Sequence, residues 1–192
     1  GSGYIEVLAE MFRAGVINRQ GAIQTDIDSP RARTAESGPS EFVIVWAAQS
    51  GTDRDIVITQ DDIENLIRSK GSIYSAAKIL VDKMGMKLDQ IDRIYIGGGF
   101  GNYLNIEKAI WIGLLPDLPV ERFEFIGNSS LAGARMALLS VEALTKSQEI
   151  AARMTNIELC TAPSYMGEYV GAQFLPHTDI DLFPTVKEQL ED

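Results

Sequence analysis

The chain of 192 residues has one cysteine, one histidine, few basic residues and no apolar run of membrane-spanning length. A lone cysteine, Cys160, excludes an internal disulfide. It also excludes a zinc or iron–sulfur site ligated by cysteines of this chain alone. Such cysteine usage fits a reducing, cytoplasmic setting. A membrane span needs about 20 consecutive apolar residues, and none is present. Lys and Arg number 17 against 27 Asp and Glu, a formal net charge of -10. An acidic surface repels phosphate backbones and anionic bilayers, so neither nucleic acid nor membrane is expected as a partner. A single nucleotide is still admissible, because backbone N–H groups can hold phosphate or ribose without net positive charge. The start lacks a methionine and a basic stretch leading into an apolar one, so no signal peptide is visible. Gly1-Ser2-Gly3 is either a cloning remnant or a native loop exposed by truncation. On both readings the chain is expected to be part of something longer.

What is present is ordinary globular composition, 45% hydrophobic and 23% charged, enough for a sizeable core. Apolar residues at helical spacing (Ile5, Leu8, Met11, Phe12) predict a helix over 4–14 that Gly15 stops. Residues 18–40 read as a loop. Phe42–Trp46 and Ile56–Ile58 read as an antiparallel strand pair around Ser50-Gly51-Thr52-Asp53. Thr59-Gln60-Asp61-Asp62 resembles a capping box at the start of a long helix. Its apolar stripe is read as Ile63, Leu66, Ile67, Ile73, Ala77, Leu80 and Met84, with Gly85 as the stop. Strands are expected at 92–96, 123–126 and 157–159, and helices at about 105–113, 130–144, 147–154 and 163–174. Asn105 is the expected cap of the first of these helices. Residues 176–192 read as an acidic, solvated tail, which divides the chain into 1–175 and 176–192. The fold class is α/β, a mixed sheet flanked by helices.

Ligands of open α/β sheets bind beyond the C-terminal ends of parallel strands. Two turns lie at such ends: Gly97-Gly98-Gly99-Phe100-Gly101-Asn102 and Gly127-Asn128-Ser129-Ser130. The first is neither a Walker A motif, since no Gly-Lys-Ser/Thr follows, nor a dinucleotide fingerprint, since Asn102 stands where the third glycine belongs. Taken alone it is either a tight turn packing a helix on its sheet or a loop whose missing Cβ atoms admit a flat ligand. Lys70 falls on the apolar stripe of the long helix. Such a lysine either snorkels to the rim or points at a ligand, and it is the best side-chain candidate for ribose or phosphate. His177 reads as a surface residue and Cys160 as a buried hydrophobe. Asp53, Asp55, Asp61 and Asp62 read as turn and cap residues, with no metal required.

The run Ile94-Tyr95-Ile96-Gly97-Gly98-Gly99-Phe100-Gly101-Asn102-Tyr103-Leu104 resembles the adenosine motif of the actin, sugar kinase and heat-shock chaperone superfamily. More narrowly, the chain is similar to the C-terminal ATPase domain of the reductive activators of corrinoid proteins. Gly1–Ile5, Ile58–Ile63, Phe125–Ala134 and Phe174–Asp179 support the narrower match, which spans nearly the whole chain. The resemblance implies a ribonuclease-H-like, actin-like lobe. It implies an activator that uses ATP to drive one-electron reduction of Co(II) corrinoid to Co(I) on a methyl-carrying corrinoid protein. A [2Fe–2S] cluster would sit on an N-terminal domain outside this chain. ATP would be bound by Gly97, Gly98, Gly99, Phe100, Gly101, Lys70, Gly127 and Asn128. No Asp-x-Gly phosphate loop occurs, so the Mg and phosphate side is expected on a missing lobe, and no catalytic residue is assigned here. The expected partners are a corrinoid protein, the rest of the same polypeptide and, as an open alternative, a second copy. Two other functions compete: an interaction or dimerisation lobe with a vestigial nucleotide site, and an activator or kinase of another system in the superfamily.

Overall fold

The computed structural model describes residues 2–35, 38–99 and 103–191. The expectations for Phe100 and Gly101, and for the side chain of Cys160, lie outside what is described. Helix α1 (Ser2–Arg13) buries Ile5, Leu8, Ala9, Met11 and Phe12 along one face. It ends where Gly15 takes φ +69° and Val16 N–H bonds back to the Met11 carbonyl, the left-handed glycine stop common at helix C-termini.

Strands β1 (Ala32–Thr34), β2 (Ser40–Val45) and β3 (Ile56–Thr59) form an antiparallel ladder with β2 central. Phe42 lies opposite both Ala32 and Ile58. Asp55 closes the β2–β3 connection. It accepts from the Ala47 N–H and pairs with Arg33, and the backbone N–H first, then Arg33, holds its carboxyl below the usual range. Helix α2 (Gln60–Lys83) begins with a complete capping box, in which Thr59 accepts from Asp62 N–H and the Asp62 carboxylate accepts from Thr59 N–H. Two of the four orphan N–H groups of a helix start are met this way.

The second half alternates strand and helix. β4 (Ile94–Ile96) and β5 (Phe123–Phe125) pair in parallel, with Ile94 opposite Phe123 and Ile96 opposite Phe125. The connection between them carries α3 (Ile106–Trp111), capped by the Asn105 side chain as expected. α3 packs its Trp111 against Phe12 of α1, ring centroids 5.6 Å apart. Among the described residues the antiparallel and parallel strands form two ladders, of three and two strands. The chain continues through α4 (Ser129–Leu139), α5 (Val141–Arg153), α6 (Tyr165–Gly171) and α7 (Pro184–Glu191).

Four expectations are corrected. The helix expected over 130–144 breaks at Ser140, whose extended backbone ends α4 and whose side chain caps α5. Residues 157–159 form no strand; a 3-10 turn covers Leu159–Thr161. The buried line of α2 runs through Ile63, Ile67, Lys70, Gly71, Tyr74, Ser75 and Ile79. Ile73, Leu80 and Met84, read as core, are more than half exposed. Finally, residues 176–192 are not a solvated tail. Phe183 and Val186 are buried, Phe183 packs on Tyr74, and Asp117 accepts from Thr185 N–H at the start of α7.

That last segment is anchored by a strap, residues 171–178, buried at Gly171, Ala172, Leu175, Pro176 and His177. Leu175 N–H bonds to the Arg19 carbonyl, and the Arg19 guanidinium reaches the carbonyls of Leu175 and His177. Gly113, at φ +74°, lies against the strap. A Cβ there would stand 2.7 Å from the Pro176 carbonyl carbon and 2.9 Å from its Cα. Both the positive φ and the backbone contact exclude a side chain. Gly113→Ala is expected to destabilise the fold by about 3 kcal/mol or more, read as a lower urea midpoint. An unchanged midpoint would contradict this packing.

Candidate functional site

The parallel ladder ends by launching two loops side by side. Past the last paired residues, Ile126 N–H still bonds to the Ile96 carbonyl at 3.1 Å. One step further, Gly98 N–H donates to the Gly127 carbonyl at 2.7 Å. The glycine loop and the Gly127 turn are thereby tied together at the C-terminal ends of their strands. Gly98 has φ +98° and Gly127 φ +63°, backbone geometry that favours glycine. Asn128 then caps α4, its side chain accepting from Leu131 N–H at 3.0 Å.

Of the three consecutive glycines, Gly97 and Gly98 each have a structural reason to lack a side chain and Gly99 has none among the described residues. A Cβ on Gly97 would lie 2.9 Å from the Ser129 hydroxyl, so Ser129 occupies the space behind it. Ser129 was not singled out from the sequence; its only signal was its place in the second turn. Gly98 requires its left-handed φ. At Gly99 a Cβ would meet none of the described residues within 4 Å, and φ is ordinary. Nothing in the described packing requires glycine at position 99. The structure therefore brings Gly97, Gly98, Gly127 and Asn128 together, with Gly99 on the open side.

Lys70 is elsewhere in function. Only 1% of it is exposed, and its ammonium donates to the carbonyls of Ala172, Phe174 and Pro176 at 2.6, 2.6 and 2.7 Å. An ammonium has three donors. All three are used on the strap, so Lys70 neither snorkels nor has a donor left for ribose or phosphate. Gly71 beside it lets the Ala172 carbonyl approach, at 3.3 Å from where a Cβ would sit. Burial pushes Lys70 down to about 7, since a low-dielectric setting disfavours the charged form. The carbonyl bonds act in the opposite direction.

His177 is also not at the surface. It is 5% exposed, with Nδ1 accepting from Asp179 N–H at 3.0 Å and Nε2 3.3 Å from the Glu168 carboxylate. Its ring lies 5.6 Å from that of Tyr74. The histidine closes the packing of α2, α6 and the strap. Among the described residues no three His, Cys, Asp or Glu side chains converge as metal ligands, and no helix is long and apolar enough to cross a membrane.

Residues 1–187 match the family described as the C-terminal domain of RACo, the ASKHA domain. The chain belongs to that family. Its fold is accordingly the actin-like ATPase fold. A solved structure, the reductive activator for corrinoid,iron-sulfur protein, superposes with a TM-score of 0.89 at 49% identity over 97% of this chain. The corrinoid activation enzyme RamQ of Eubacterium limosum is 33% identical over 176 residues, 88% of this chain. The [Co(II) methylated amine-specific corrinoid protein] reductase of Methanosarcina barkeri is 33% identical over 109 residues, 57% of this chain and 20% of its own length. The chain spans 30% of the length of RamQ and 30% of that solved chain.

Proposed function

We propose that this RACo-type domain forms the adenosine side of an ATP site in a reductive activator of a corrinoid protein. The observation that carries the reading is the pair of glycine turns joined by the Gly98–Gly127 hydrogen bond at the C-terminal ends of β4 and β5. That is where an α/β sheet receives a ligand. The residues fit the group: Gly98 and Gly99 offer backbone without side chains to a flat base and ribose. Gly127 and Asn128 form the neighbouring wall. Lys70 is omitted because its donors are spent. Phosphate and Mg contacts are assigned to polypeptide outside residues 1–192, since no Asp-x-Gly loop occurs here. The electron would come from a [2Fe–2S] domain also outside this chain, reducing Co(II) corrinoid to Co(I) in the cytoplasm. The names of the similar proteins support the corrinoid partner.

ATP titrated into the full-length protein should shift the amide resonances of Gly97, Gly98, Gly99, Gly127 and Asn128 and leave those of the Lys70 strap in place. Absence of any shift at the two loops would refute the reading. Residues 1–192 alone should hydrolyse ATP at no more than the background rate, because the phosphate-gripping half is absent. Turnover matching an intact activator would contradict the division of labour.

A further inference from the structure

This chain exposes more surface than a complete domain of its mass. A folded single-domain protein of 21.0 kDa exposes about 9,000 Å² by area–mass scaling, whereas this chain exposes 12011 Å². The surplus, about 3,000 Å², is in the size class of permanent interfaces. Its place in the fold is specific. α4 and α5, of 11 and 13 residues, contain no buried residue. Leu138, Leu139 and Val141 are 85%, 73% and 82% exposed, and Met136 and Met154 are 63% and 75% exposed. The outer face of α2 adds the exposed Ile73 and Leu80 described above. A helix of a globular protein holds its place by burying apolar surface against the rest of the molecule, and neither α4 nor α5 does so here.

We infer that the α4–α5 hairpin is the docking surface for the remainder of the same polypeptide, the portion that makes the similar proteins about three times longer. Three observations select this occupant. First, RamQ and the solved reductive activator each carry some 70% of their length beyond the matched domain, the complement of the 30% this chain covers. Second, β4 and β5 are a two-stranded parallel ladder of three residues each, with Tyr95 57% and Phe125 40% exposed. Parallel strands are covered on both faces by elements of their own chain, and two strands alone do not make a stable sheet. Third, the alternatives fit worse. A second copy would bring a net charge of -10 against -10, which self-repels. A partner that comes and goes would leave this apolar face in water between encounters. Because α4 is capped by Asn128, the residue after Gly127 whose carbonyl accepts from Gly98, the docked segment is joined through one helix to the glycine loops.

The test is a brief hydroxyl-radical pulse on the folded full-length protein without nucleotide, with oxidation of Met136 and Met154 read by mass spectrometry. Covered methionines are expected to oxidise at least about tenfold more slowly than in the same protein unfolded in urea, at every protein concentration. Rates within about twofold of the unfolded ones would overturn the inference. So would protection that vanishes on dilution, which means a second copy, or protection that arises only when the corrinoid protein is added. The ATP titration on the same samples separates this from the nucleotide reading. Protection without ATP binding upholds the docking surface and sinks the nucleotide site; ATP binding without protection does the reverse.

Discussion

Lys70→Met should lower the stability of the folded protein by about 3 kcal/mol or more, since each buried carbonyl left without a donor costs about 1–3 kcal/mol. For a chain of this size the melting temperature should fall by roughly 6–12 °C. Methionine is close in length and apolar, so it fills the same channel between α2 and the strap. What it removes is the set of donors to Ala172, Phe174 and Pro176. The strap carries His177 and leads to Phe183 and Val186, so its loosening exposes the packing of the last segment on Tyr74. The pH dependence has a definite sign. Lys70 falls from 10.5 to about 7 in the fold. Between those values the unfolded chain binds more protons at this residue than the folded one, so stability rises with pH. Below about 7 both states are protonated and the burial penalty is present in full. The variant has no such group. The stability of the wild type relative to Lys70→Met, measured by urea denaturation, should therefore grow from pH 7 upward. A difference that shrinks, or a variant that melts with the wild type, would remove Lys70 from the role assigned to it. Nucleotide affinity measured below the variant's melting temperature should be unchanged, because the three donors of the ammonium are spent on the strap.

The same residue shows where sequence reasoning ends. A lysine on an apolar stripe admits two local explanations, snorkelling or a ligand. The actual partners are carbonyls 102, 104 and 106 residues away, and backbone atoms carry no sequence signal. The true buried line of α2 was hidden for a related reason. It includes the polar Lys70 and Ser75, while the apolar Ile73, Leu80 and Met84 face outward. Composition also misled at the C-terminus. Acidic residues dominate there, but Phe183 and Val186 are at helical spacing from each other and both are buried. By contrast, the capping box at Thr59, the Asn105 cap, the antiparallel hairpin and the Gly127 turn are local patterns. Their physics is complete within a few residues, and the structure reproduces them. The pairing of the two turns is not local. It depends on β4 and β5 being neighbours, which the strand–helix–strand order implied.

At Gly98 the φ of +98° makes any substitution strained, so lost binding there would not separate site from fold. Gly99 is the better position. Its φ is ordinary and a Cβ meets no described atom within 4 Å, so valine should leave the fold intact. The valine would stand where the adenosine approaches the backbone. The measurement is ATP affinity of the full-length Gly99→Val protein by calorimetry, with its melting temperature taken alongside. The account predicts affinity weakened by about a hundredfold or more, a loss near 2.7 kcal/mol, with the melting temperature held. Wild-type affinity in a fully folded Gly99→Val protein would contradict the claim that ATP is bound at this loop.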